Sequence, residues 1–155
     1  MDNLKYAMET SYAYMVEEIN SILSSSIYSV EEGQRLFYAC GTCLHWILDY
    51  AERLDITEED KKLISAFRFA NNALKHDKTL LEITEQTGGL RFPIRFPAHF
   101  TARHISWKDI EDNGKYESQY KNYVQYLKNR DVVITCREVI ERLLEYEEHN
   151  NRSSD

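Results

Sequence analysis

The sequence predicts an all-α protein, a bundle of four or five helices with a small β-hairpin or extended arm inserted at about residues 88–108. Three observations predict it. Only five Gly and two Pro occur in 155 residues, too few for a turn-rich β protein. Apolar residues recur at three- and four-residue steps along most of the chain, the spacing of amphipathic helices. One segment, Leu90 to Pro97, alternates with a period of two instead, as a strand does. At this length one domain with a substantial core is expected, spanning 1–155.

The first helix is expected over residues 2–24, where Leu4, Ala7, Met8, Tyr12, Met15, Ile19, Ile22 and Leu23 share a face and Ser24-Ser25-Ser26 ends it. Ser29 then reads as an N-cap, with Glu32 completing a capping box. The second helix should run to about Leu54 and is most apolar from Leu36 to Ile47, which marks it as the most buried element. Thr57 caps a third helix, with Asp60 in the position of the acidic partner, and that helix ends near His76. Residues 79–86 read as a short helical turn broken by Gly88-Gly89. In the strand-like segment that follows, Leu90, Phe92, Ile94 and Phe96 would face the protein and Arg91, Pro93 and Arg95 would face outward. Pro93 and Pro97 confine it to an edge, and Ala102 to Trp107 could pair with it. Helical spacing returns over 115–129 and 131–148.

The net charge of −7 argues against general adhesion to nucleic acid or anionic membrane. Locally the balance reverses. Thr87 to Lys108 contains no Asp or Glu, and its four cations, Arg91, Arg95, Arg103 and Lys108, leave −11 on the rest of the chain. Phe92, Phe96, Phe100 and Trp107 interleave with them. Cations and aromatics on an extended arm suit single-stranded nucleic acid, and suit equally an acidic partner or the chain's own acidic surface. Three cysteines make no disulfide framework, and no apolar run reaches membrane-spanning length. With no secretory leader in the opening residues, a cytoplasmic location with reduced thiols is expected.

The segment Arg68-Phe69-Ala70-Asn71-Asn72-Ala73-Leu74-Lys75-His76 carries the chemistry. At about 3.6 residues per turn, Arg68, Asn72 and Lys75 fall in line, with Asn71 on one flank and His76 on the other. Leu63, Phe67, Ala70 and Leu74 would cover the opposite face. Cations, amides and imidazole without a carboxylate can hold an anion, and His can move a proton near neutral pH. The structural alternative is equally concrete. Arg68 could pair with a neighbouring helix, and Lys75 and His76 suit the negative end of the helix dipole.

A helical domain whose late helix carries Arg, then an Asn-containing run, then His resembles the HEPN superfamily, with Asn72-Ala73-Leu74-Lys75-His76 the nearest local likeness. That resemblance implies a compact, often dimeric ribonuclease of toxin–antitoxin or other defence systems, cutting RNA without metal. Arg68 and His76 would then be the catalytic pair, with Asn71, Asn72 and Lys75 as supporting donors; Arg91 and Arg95 belong to the basic arm, outside the resemblance, and would be cations that hold the strand. The resemblance implies RNA as ligand, a homodimer, and no metal or cofactor. Two features depart from the family pattern. Seven residues separate Arg68 from His76, and Phe69 stands where a polar residue is usual. The competing expectation is a non-enzymatic interaction or dimerisation module.

Other motifs read as structural. Cys40-x-x-Cys43 lies deep within a helix, whereas redox pairs sit at a helix N-terminus. A zinc site there would have to recruit Cys136 and His45. Trp46 and Trp107 are expected as core or hairpin anchors, and the acidic run Glu138 to Glu148 as a solvated face.

Overall fold

The structure, a computed structural model, describes residues 2–76, 80–89, 99–111 and 114–152. Five helices and one two-stranded antiparallel hairpin follow in the order α1 (Asp2–Ser24), α2 (Val30–Ala51), α3 (Glu58–Lys75), β1 (Leu81–Gly89), β2 (His99–Trp107), α4 (Glu117–Tyr126) and α5 (Val132–Arg152). This is the expected helical bundle with an inserted hairpin. α1 lies along α2, α3 lies between α2 and α4, and α5 contacts α1, α2 and β2. The core runs through Met8, Met15, Ile19 and Ile22 of α1, Cys40, Cys43, Leu44 and Ile47 of α2, and Val139, Ile140 and Leu143 of α5.

Local signals set the helix ends. Ser29 Oγ accepts from the Glu32 N–H at 3.1 Å and Glu32 returns the bond to the Ser29 N–H at 2.7 Å, the reciprocal satisfaction of a capping box. Thr57 caps α3 by accepting from the Asp60 N–H, but the Asp60 carboxylate does not reach back to the Thr57 N–H. It accepts instead from Thr57 Oγ1, Arg142 Nη1 and the Tyr146 hydroxyl, while the Thr57 N–H donates to Tyr146. A cap has thereby become a tie between α3 and α5. Asn129, at φ +62°, makes the left-handed turn that Asn tolerates better than most residues. Asp131 Oδ1 then accepts from the Ile134 N–H at 2.8 Å at the start of α5.

Residues 81–86 correct the sequence reading. The expected helical turn is strand β1, and Gly88-Gly89 are its last residues. Leu81 pairs with Trp107, Ile83 with Ile105 and Gln86 with Ala102. The reason lies in the alternation Leu81-Glu82-Ile83 together with β-branched Ile83, Thr84 and Thr87, which suits a half-buried strand. Partner strand β2 supplies the cross-strand pairs that fix it. The expected piece at Ala102–Trp107 is therefore a strand, but it pairs upstream of the Leu90–Pro97 segment. Residues 90–98, with Arg91 and Arg95, lie outside the described residues.

Trp107 anchors the hairpin. Its ring is fully buried and edge-on to Phe67, with centroids 6.2 Å apart. Its indole N–H donates to Thr135 Oγ1 at 2.8 Å, and its backbone bonds Arg130 O and the Asn129 N–H across the α4–α5 turn. Arg103 of β2 donates to Ser25 O at 3.0 Å, placing a cation at the carbonyl end of α1 where the helix dipole favours it. Part of the basic arm is thus spent on holding the hairpin to the bundle.

Candidate functional site

The outer ridge of α3 is narrower than its sequence suggests, because the helix is buried on two sides. Leu63, Ile64, Phe67, Ala70 and Leu74 enter the core, and so do Ala66, Phe69 and Ala73. Phe69 packs on Tyr120 and Tyr123 of α4, with ring centroids 5.5 and 5.1 Å away. An aromatic stands at this position because α4 covers it. Asn71 shares the core-facing side and is only 6% exposed, so it does not join the outer donors.

Arg68, Asn72, Lys75 and His76 remain at the surface. Arg68 and Asn72 are half-buried, and Lys75 and His76 are exposed. Arg68 Nη2 meets Glu52 Oε1, the C-cap residue of α2, at 3.1 Å, with side-chain exposures of 43% and 55%. Such an exposed pair contributes about 0–1 kcal/mol, so a polyanion could displace it at little cost. Among the described residues no hydrogen bond or ion pair holds the side chains of Asn72, Lys75 or His76. His76 is the C-cap of α3, its backbone N–H bonded to Asn72 O and Ala73 O. The rise of about 1.5 Å per residue places its Cα roughly 12 Å along the axis from that of Arg68. One copy therefore offers these two groups to separate parts of a ligand.

Two hollows lined by described residues lie elsewhere, and none of these four side chains lines either. The first, about 250 Å³, is walled by Ile22, Leu36, Phe37, Leu74, Leu80 and Ile105, with Tyr28, Gly33 and Glu82 among its other walls. The second lies between the start of α3 and the end of α5, at Asp60, Arg142, Glu145, Tyr146 and His149. Next to the first hollow the surface is unusually apolar. Ile27 is 88% exposed, Val30 81% and Tyr38 65%, and Tyr28 and Phe37 are also exposed. The sequence carried a signal for this patch: Ile27, Tyr28 and Val30 stand at a helix–helix turn where polar residues are the rule.

The three thiols are fully buried. Burial, then the neighbouring Cys43, pushes the Cys40 thiol up. Burial, then the hydrogen bond with Cys43, does the same to Cys136. A fully buried pair inside a helix, with the Cys40 thiol raised, is the opposite of a reactive Cys-x-x-Cys. His45 is exposed beside Trp46, and among the described residues no cluster of His, Cys, Asp and Glu could hold a metal ion. In the acidic run, Glu138 pairs with Arg130 and Glu147 accepts from Tyr50 at 2.7 Å. No described helix is long and apolar enough to cross a membrane. No protein-family model, curated protein or solved structure matches this chain.

Proposed function

We propose that this chain is a HEPN-like, RNA-engaging protein that meets the ribose-phosphate backbone along the outer ridge of α3. On this reading Lys75 and Arg68 contact phosphates, Asn72 donates to the strand, and His76 is the acid–base group of a metal-independent cleavage in which Arg68 of a second copy stabilises charge. One observation carries the proposal. From Leu63 to His76 the helix bears no carboxylate, and its half-buried Asn72 and exposed Lys75 and His76 are unengaged among the described residues. A ridge that served only to meet water in so acidic a protein would mix Glu with Lys.

The test is incubation of the purified full chain with single-stranded RNA in EDTA, alongside His76→Ala and Lys75→Ala. Cleavage should fall to background in His76→Ala while RNA retention persists. Lys75→Ala should weaken retention about tenfold, roughly 1.4 kcal/mol. Equal cleavage by wild type and His76→Ala would remove the catalytic assignment. Equal retention by wild type and Lys75→Ala would remove the ridge as the contact surface.

A second reading, a non-enzymatic interaction module, draws on the exposed Ile27, Val30, Phe37 and Tyr38. A chain that neither binds nor cleaves RNA yet associates with itself or another protein through that face would favour it.

A further inference from the structure

We infer that the free edge of β1 is a docking site for an extended segment of a partner protein, one that alternates apolar and basic residues and adds to the hairpin as a further strand. The inference stands apart from the RNA reading. It begins with the backbone. The Lys108 N–H donates to Leu80 O at 2.7 Å, and the register pairs Leu81 with Trp107 and Ile83 with Ile105. Bonded and non-bonded pairs alternate along an antiparallel ladder. Glu82 and Thr84 therefore bond β2, while Leu81, Ile83 and Glu85 turn their N–H and C=O groups the other way. On the opposite edge the same alternation points Trp107 outward, and its groups are taken up by Arg130 O and the Asn129 N–H. Nothing plays that part for β1. Among the described residues no group bonds the outward N–H and C=O of Leu81, Ile83 or Glu85. Strand edges are commonly blunted by Lys, Pro or a bulge. Leu81 to Thr87 contains neither Lys nor Pro, and its register runs unbroken.

The occupant follows from what flanks that edge. Leu81 and Ile83 share a face with Ile105 and Trp107, which are buried in the bundle. Beside them lies the hollow of about 250 Å³ walled by Ile22, Leu36, Leu74 and Ile105. Its volume falls below the roughly 300–1,000 Å³ of small-molecule sites, so it suits apolar side chains better than a whole ligand. Tyr28 and Phe37 also wall it and are themselves exposed. On the α2 side Gly33 leaves room, because a Cβ there would meet only the edge of Tyr28 at 3.9 Å. A strand laid about 4.8 Å from β1 sends alternate side chains to opposite faces. Those across from Leu81 and Ile83 reach the hollow and need to be apolar; the one across from Glu82 lies on the outer face. Among the described residues that wall the hollow only Glu82 is charged. It is exposed and has no ion pair among the described residues, and the Glu85 side chain is 64% exposed. Opposite charges across strands stabilise and like charges destabilise. A basic residue beside Glu82 is therefore favoured. A second copy adding its own β1 is not, since Glu82 and Glu85 of both chains would line one seam. The chemistry recognised is apolar–basic–apolar in extended form, with main-chain bonds giving affinity and the hollow giving selection.

The experiment titrates the full chain into a fluorescent peptide in which lysine alternates with valine and isoleucine, read by anisotropy. A peptide of the same composition with its lysines contiguous controls for charge. The alternating peptide should bind at least about tenfold more tightly than the control. Gly33→Leu fills the open space on the α2 side, and Ile83→Pro removes an outward N–H while sparing the inward ladder. Each should weaken binding by about tenfold or more, with circular dichroism unchanged. On the unaltered chain, peptides carrying one backbone N-methyl group at successive positions should lose affinity at every second position only. Bound peptide should also slow amide exchange at Leu81 and Ile83. Equal binding of the two peptides, or none at about 1 mM, would overturn the inference. So would an N-methyl series without that alternation, or variants that bind as the wild type does. A chain that dimerises through this edge, and that Ile83→Pro returns to monomer, would assign the edge to a second copy and overturn it as well.

Discussion

Asp60 shows how one side chain can leave a local role for a tertiary one. Burial works to raise its carboxyl, but hydrogen bonds from Tyr146, Thr57 and Arg142 outweigh it and hold the carboxyl below the ordinary range. A carboxyl depressed by folding contributes stability above its unfolded value, near pH 4, and loses it as pH falls through the folded value. Asp60→Asn should therefore lower stability at pH 7 by about 1–2 kcal/mol, in the range of hydrogen bonds to charged groups. The gap between variant and wild type should narrow as thermal melts are taken down towards pH 3. A gap that stays constant with pH would mean that the carboxylate charge is not what ties α3 to α5. Single residues were also the least legible part of the candidate site. Arg68, Asn72, Lys75 and His76 reach the surface as their helical spacing implies, but Asn71 turns inward. Neither the cover that α4 gives to Phe69 nor the partnership of Arg68 with Glu52 can be read from one helix's periodicity.

At the scale of elements, helices were legible wherever chemistry marks their ends. Ser29 with Glu32 and Thr57 with Asp60 locate the starts of α2 and α3. The hairpin was legible in kind and misplaced in position, because proline-marked alternation at 90–97 is conspicuous and the half-polar alternation of 81–87 is not. What decides the pairing is non-local. Trp107 must lie across from Leu81 to enter the core beside Phe67, and that choice pulls the preceding strand into register. Trp107→Ala should accordingly cost about 3–5 kcal/mol, or roughly 2–4 °C of melting temperature per kcal/mol at this chain length. Amide exchange in β1 and β2 should rise more than in α1. A loss spread evenly over all elements would show that the ring stabilises the core without anchoring the hairpin.

For the molecule as a whole, charge limits what the α3 ridge can do. Against a net −7, two cations at Arg68 and Lys75 cannot retain RNA by general attraction. For single strands each neutralised phosphate contributes about −0.7 to the slope of log affinity on log salt. Binding through this ridge alone should show a slope of about −1.4 and be largely lost at high salt. A much steeper slope would point to the cations of the segment between β1 and β2 as the main contact. The two tryptophans also differ in a way that a spectrometer can use. Trp107 is sealed and Trp46 is only partly covered, so a soluble collisional quencher such as acrylamide will reach the emission of one and spare the other. The protected fraction of the fluorescence becomes an optical gauge of whether the hairpin is seated, readable in dilute solution without any label.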